Sequence, residues 1–191
     1  MHMKKIKITF NAPVVLCFIM ICFLATAIGE IIPNGKGTYL LFSTYHSSLK
    51  NPMTYLRFFT HIFGHSGWSH FTGNMLYILL LGPILEEKYS SAMLIKIILL
   101  TAFVTGIVNY IFFPKVVLLG ASGVVFAFII LASFTGFKNG EIPLTFLLVA
   151  AIFIGQQLYE GIVSFDNISQ MAHIIGGAVG AFVGYNLNRR R

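Results

Sequence analysis

The chain has 191 residues, 57% of them hydrophobic and 10% charged, with a mean hydropathy of +0.82 and a formal net charge of +7. That profile excludes an ordinary water-soluble globular protein and predicts an all-α polytopic membrane protein. The positive balance does not argue for nucleic acid, because the basic residues gather at the ends of apolar segments and not along one stripe interleaved with exposed aromatics.

The first apolar segment, residues 11–32, follows Lys4, Lys5 and Lys7. It has the length of a bilayer crossing, lacks a convincing Ala-x-Ala exit and is followed by further apolar segments. A retained transmembrane helix is therefore expected, not a cleaved signal peptide. Cys17 and Cys22 lie five residues apart within it, a spacing that suits neither a disulfide along a helix nor a metal site without further ligands; both read as apolar packing residues. Residues 33–68 form a long connection, with Pro, Asn, Gly and Ser early and an aromatic stretch from Tyr55 to Phe63 later. Its second half is too apolar for a free linker, so short amphipathic helices lying at the membrane interface are expected.

Five more segments of spanning length follow at 69–88, 92–113, 120–137, 142–160 and 168–187, which makes a six-helix bundle and one domain over residues 1–191. With the N-terminus inside, the cytoplasmic side holds Lys4, Lys5, Lys7, Lys88, Lys138, Arg189, Arg190 and Arg191, with Lys96 near it. The outer side holds Lys36, Lys50, Arg57 and Lys115. The positive-inside rule then puts both termini in the cytoplasm. The short, compact form points to a bacterial inner membrane.

In that orientation segments two, four and six all enter from the outside. His70 and Asn74 lie just inside segment two, Ser122 lies near the start of segment four, and His173 stands seven residues past Asp166, roughly 10 Å below the surface at the helical rise. Residues 112–119, just before Ser122, are too apolar to float in water. Irregular backbone at membrane depth is tolerated only where it is buried in protein or lines a wet cavity, so a cavity open to the outside is expected.

Ser122 stands in Gly120-Ala121-Ser122-Gly123. A serine at a helix N-terminus sits beside unpaired N–H groups suited to an oxyanion, and the flanking glycines let a substrate backbone approach. The alternative is a helix cap followed by small packing residues. His173 precedes Gly176, Gly180 and Gly184, which form one smooth helix face. The alternative there is a packing helix with one core histidine; if the helix that packs on this face is segment four, Ser122 gains a base. His70 and Asn74 share a helix face and both can donate hydrogen bonds to a developing oxyanion. His61, His65 and His70 match no common zinc spacing, lack nearby Cys and carboxylate ligands and stand outside any His-Glu-x-x-His, so no metal and no cofactor is expected. Asp166 is the sole aspartate, so an aspartyl dyad is not available, and serine with histidine remains.

Together these residues resemble the rhomboid family of intramembrane serine proteases over nearly the whole chain. The segment from His65 through His70 to Asn74 is like the family's His-x4-His-x3-Asn, Gly120-Ala121-Ser122-Gly123 is like its Gly-x-Ser-Gly, and His173 with Gly176 and Gly180 is like its Ala-His-x2-Gly-x3-Gly. The resemblance implies Ser122 as nucleophile, His173 as general base, and His70, Asn74 and the Ser122 backbone N–H as oxyanion donors. It also implies Gly120, Gly123, Gly176 and Gly180 as supporting residues and Phe126 as an aromatic packed on the catalytic histidine. The substrates implied are transmembrane segments of other membrane proteins in the lipid bilayer, with no nucleic acid involved. Two departures stand out. The glycine that the family carries four residues after Glu86 is Ser90 here, and the family's Trp-Arg pair in the first loop is replaced by Leu56-Arg57. A non-catalytic escort on the same scaffold would not need both Ser122 and His173, and a small transporter would show related halves, which the sequence lacks.

Overall fold

The computed structural model describes residues 9–32, 36–136, 143–163 and 167–188. Lys4, Lys5, Lys7, Lys138, Asp166, Arg189, Arg190 and Arg191, which entered the orientation and depth arguments, lie outside the described residues. Eight α-helices are described: α1 (Pro13–Ile31), α2 (Lys36–Leu41), α3 (Pro52–Thr60), α4 (Trp68–Tyr89), α5 (Ser91–Phe112), α6 (Ser122–Ser133), α7 (Leu144–Val163) and α8 (Asn167–Asn188). Short 3-10 turns follow α3 and α6, and the described residues contain no strand beyond one isolated bridge. The longer helices α1 and α4–α8 fall on the six expected segments. Among the described residues, α1 and α5 are the helices that by length and composition qualify as candidate membrane spans.

Pro13 begins α1, where its missing N–H leaves no bond unmade. No side chain of α1 caps that end; the cap comes from α4. Glu86, buried near the end of α4, accepts from Val14 N at 3.0 Å and Val15 N at 3.1 Å, and from Ser91 Oγ at 2.7 Å. A carboxylate thus satisfies two of the three open donors left at the start of α1, Pro13 having none, and faces its positive end. Next to this contact α1 and α4 meet closely, since a Cβ on Gly82 would fall 2.6 Å from Val15 Cγ2. Cys22 is buried in the core, whereas Cys17 is exposed. Packing therefore holds for one cysteine only: five residues turn the helix by about 500°, which sets the two side chains some 140° apart.

One residue, Ser90, joins α4 to α5. It has φ +77 and ψ 154, the sole positive φ outside glycine among the described residues. This is the position where the family's glycine is missing, and the backbone shows why glycine suits it: with a Cβ, that region is strongly disfavoured. Serine compensates locally, as its hydroxyl accepts from Met93 N at 3.4 Å at the start of α5.

The connection between α1 and α4 folds as two short helices and a turn. Arg57, in the place of the family's arginine, is buried; its Nε donates to Leu40 O at 2.8 Å and its guanidinium lies 4.6 Å from the centroid of the Tyr45 ring. Tyr45 stacks on Tyr39 at 4.5 Å, so charge and rings hold the loop in place of the missing tryptophan.

At the centre stands α6. Gly123, Val124, Val125, Ala127, Phe128, Ile130 and Leu131 are all buried, which is what an all-apolar helix requires. It is shorter than the expected 120–137, because Gly120 at φ +120 and Ala121 outside helical geometry end the helix at its N-terminal side and a 3-10 turn replaces its last residues. Twelve residues rise about 18 Å, well short of a bilayer core of about 30 Å.

Candidate active site

The backbone leading into α6 is irregular and tied on both sides. Thr44 and Leu118 form an antiparallel bridge, with Thr44 N to Leu118 O at 2.8 Å and Leu118 N to Thr44 O at 2.9 Å. Asn109 Nδ2 donates to Val116 O at 3.2 Å and Thr44 O at 3.3 Å. Gly120 N then donates to His61 O at 2.9 Å. The first loop thereby fixes the stretch that delivers Ser122 to the first position of α6, where backbone N–H groups have no helical partner.

His61 is almost fully buried and linked at both ring nitrogens, Nδ1 to Arg57 O at 3.1 Å and Nε2 to Thr105 Oγ1 at 3.2 Å. Burial holds its pKa at about 4 against the opposing carbonyls of Arg57 and Phe58. Burial, and after it the nearby His70, likewise keeps His65 at about 4, with its bond to Phe63 O opposing. His65 and His70 meet edge to face at 5.0 Å.

The glycine face of α8 packs on α6. A Cβ on Gly176 would collide with the Gly123 carbonyl oxygen and come within 2.8 Å of its carbon and 2.9 Å of its Cα. One on Gly180 would collide with Ala127 O and lie 2.9 Å from Ala127 Cα, and one on Gly184 would lie 2.6 Å from the Phe134 ring. The condition set by the sequence is met, since segment four is the helix that seats against the glycines of segment six. Phe126 and His173 consequently face each other with ring centroids 4.2 Å apart.

A cavity of about 620 Å³ gathers the residues singled out from the sequence: Ser122, His173, His70, Asn74 and Phe126 all line it. Gly120 lies against the oxyanion candidates. A Cβ there would fall 2.8 Å from His70 Cε1, 2.9 Å from His70 Nε2 and 3.8 Å from Asn74 Nδ2, so both the positive φ and the close approach demand glycine. Asn74 Nδ2 is buried and has no hydrogen-bond partner in the structure, a donor held ready for an acceptor that enters. Ser66 and Tyr77 also line the cavity and were not legible as site residues; Ser66 lies in the bend just before α4, and its hydroxyl stands 3.2 Å from His70 Nδ1. His61 was noticed only as a possible ligand. Its role in anchoring Gly120 runs through its backbone carbonyl, to which residue type gives no clue.

The pattern that defines the Rhomboid domain matches residues 52–190 of the chain. The chain is 30% identical over 138 residues to Rhomboid-related protein 1 of Caenorhabditis elegans, covering 68% of this chain and 39% of that protein. It is 29% identical over 160 residues to Rhomboid-related protein 2 of Mus musculus, covering 73% of this chain and 53% of that one. The chain thus spans about half or less of the length of these relatives.

Proposed function

Because this chain belongs to the rhomboid family, we propose that it is a serine endopeptidase that cleaves transmembrane segments of other membrane proteins. In this reading residues 1–191 act as one domain, α1 and α4–α8 cross the bilayer, and both termini face the cytoplasm. The relatives that match are animal proteins and lend no support to a bacterial location.

One observation carries the reading: a serine at a helix start and a histidine on the helix seated against it open into the same cavity as a buried, unpartnered amide donor. His173 takes the proton of Ser122, Ser122 Oγ attacks the scissile carbonyl, and His70, Asn74 and the Ser122 N–H hold the resulting oxyanion. The protonated His173 then donates to the leaving amine. Water entering from the outer side, deprotonated by the same histidine, hydrolyses the acyl-enzyme. A dyad of this kind works without an aspartate to orient the base.

The test is labelling with a serine-directed fluorophosphonate beside cleavage of a model transmembrane substrate in liposomes. Wild type should react and cut, and Ser122→Ala should do neither. Asn74→Ala should keep measurable turnover about a hundredfold to a thousandfold down, as for loss of one oxyanion donor. An unlabelled wild type that binds membrane clients without cutting them would replace this reading with that of a non-catalytic escort.

A further inference from the structure

Three histidines in the structure share one arrangement and a fourth breaks it. The Nδ1 atoms of His46, His61 and His65 face the backbone carbonyls of Tyr110, Arg57 and Phe63 at 3.2, 3.1 and 3.1 Å. A carbonyl only accepts, so in a neutral ring Nδ1 carries the hydrogen and Nε2 is left as a bare acceptor. At His61 that atom lies 3.2 Å from the Thr105 hydroxyl, which itself donates to Thr101 O at 2.7 Å; at His65 it is buried without a partner. The His70 Nδ1 instead faces the Ser66 hydroxyl at 3.2 Å. A hydroxyl can donate, and when it does the ring hydrogen sits on Nε2.

For His70 the difference decides what the cavity meets. Its Cε1–Nε2 edge is the one turned to Gly120, two residues before Ser122. With hydrogen on Nε2 the ring presents a donor to an oxyanion there; with hydrogen on Nδ1 it presents a lone pair, which repels one.

We propose that Ser66 is a positioning residue: by donating to His70 Nδ1 it fixes the ring orientation and keeps the cavity-facing Nε2 protonated. The inference rests on the oxyanion role given to His70 above. Ser66 is exposed at the cavity rim, so its replacement leaves the packed interior untouched. Losing a neutral hydrogen bond of this kind corresponds to about a fivefold effect.

The experiment measures kcat and KM on a model transmembrane substrate, together with the ¹⁵N spectrum of His70 in histidine-labelled protein in detergent. Wild type should show hydrogen on Nε2, and Ser66→Ala should shift His70 towards the other tautomer. Ser66→Ala should also lower kcat about fivefold with KM unchanged, Ser66→Thr should restore it, and in a His70→Ala background Ser66→Ala should cost nothing more. Hydrogen on Nδ1 in wild type, an unchanged spectrum in Ser66→Ala, or an equal kcat loss with and without His70 would each overturn the proposal. An inactive wild type that fluorophosphonate does not label would instead overturn the protease reading, and the spectrum would still decide the hydrogen bond.

Discussion

Adding a single methyl group at Gly176 tests whether the α6–α8 seam sets the chemistry. The new Cβ meets backbone, not a flexible side chain: the Gly123 carbonyl oxygen, with its carbon at 2.8 Å and the alpha carbon at 2.9 Å. Backbone of α6 cannot turn aside as a side chain could. Relieving the approach to the alpha carbon alone, to an ordinary carbon separation of about 3.5 Å, moves the helices apart by about 0.6 Å, and the oxygen demands more. Ser122 starts one of these helices and His173 lies three residues before the new methyl on the other, so the displacement falls directly on the pair. A misplacement near 1 Å can cost about a hundredfold in rate, and overpacking about 1–3 kcal/mol in stability. Gly176→Ala should therefore be cut to about one hundredth of wild-type turnover with a lowered Tm in detergent. Gly155→Ala, where a Cβ meets nothing within 4 Å, should behave as wild type. If Gly176→Ala kept turnover within about threefold of wild type and the same Tm, the seam would not be what sets the distance between Ser122 and His173.

Two further outcomes follow from the backbone and from the buried rings. Ser90→Gly should relieve a positive-φ cost of about 1–3 kcal/mol while losing a few tenths in helix capping, and so raise Tm by about 2–4 °C per kcal/mol recovered; an unchanged or lowered Tm would place the strain elsewhere. His61 and His65 are held near 4 against an ordinary 6.5, so between those values the unfolded chain binds more protons than the folded one. Their contribution is fully present above about pH 6.5, falls as pH drops towards about 4, and for His61 amounts to about 3 kcal/mol. A Tm series on wild type and His61→Gln should show the steeper acid loss in wild type, and a wild-type Tm that rises on acidification would contradict the assignment.

The helices were legible because hydrophobic runs of spanning length leave little choice of structure, and their termini moved by only a few residues. The start of α6 was not legible to the residue: it depends on Gly120 adopting a positive φ, which is a tertiary demand from His70 and Asn74, not a local preference. The glycine spacing at 176, 180 and 184 announced a close helix contact, but the identity of the partner helix came only with the fold. The first loop hid most. Its bridge from Thr44 to Leu118 and the bond from Gly120 to the His61 carbonyl are backbone pairings, which any side chains could make. The cysteines show the limit of composition, since two identical residues in one apolar helix ended in opposite surroundings.

The carboxylate of Glu86 also bears on where a working fragment could be cut. The family pattern begins at residue 52, leaving α1 outside it, yet two of the three hydrogen bonds that satisfy Glu86 come from the first turn of α1. Excising α1 would strand a buried acid with Ser91 alone, and an ionised group left so costs several kcal/mol. The unsatisfied carboxylate would draw water between the helices, beside the strained turn at Ser90. A boundary drawn by sequence similarity would therefore sever the molecule through an interior electrostatic joint, and an expression fragment meant to isolate the matched domain should begin before Pro13.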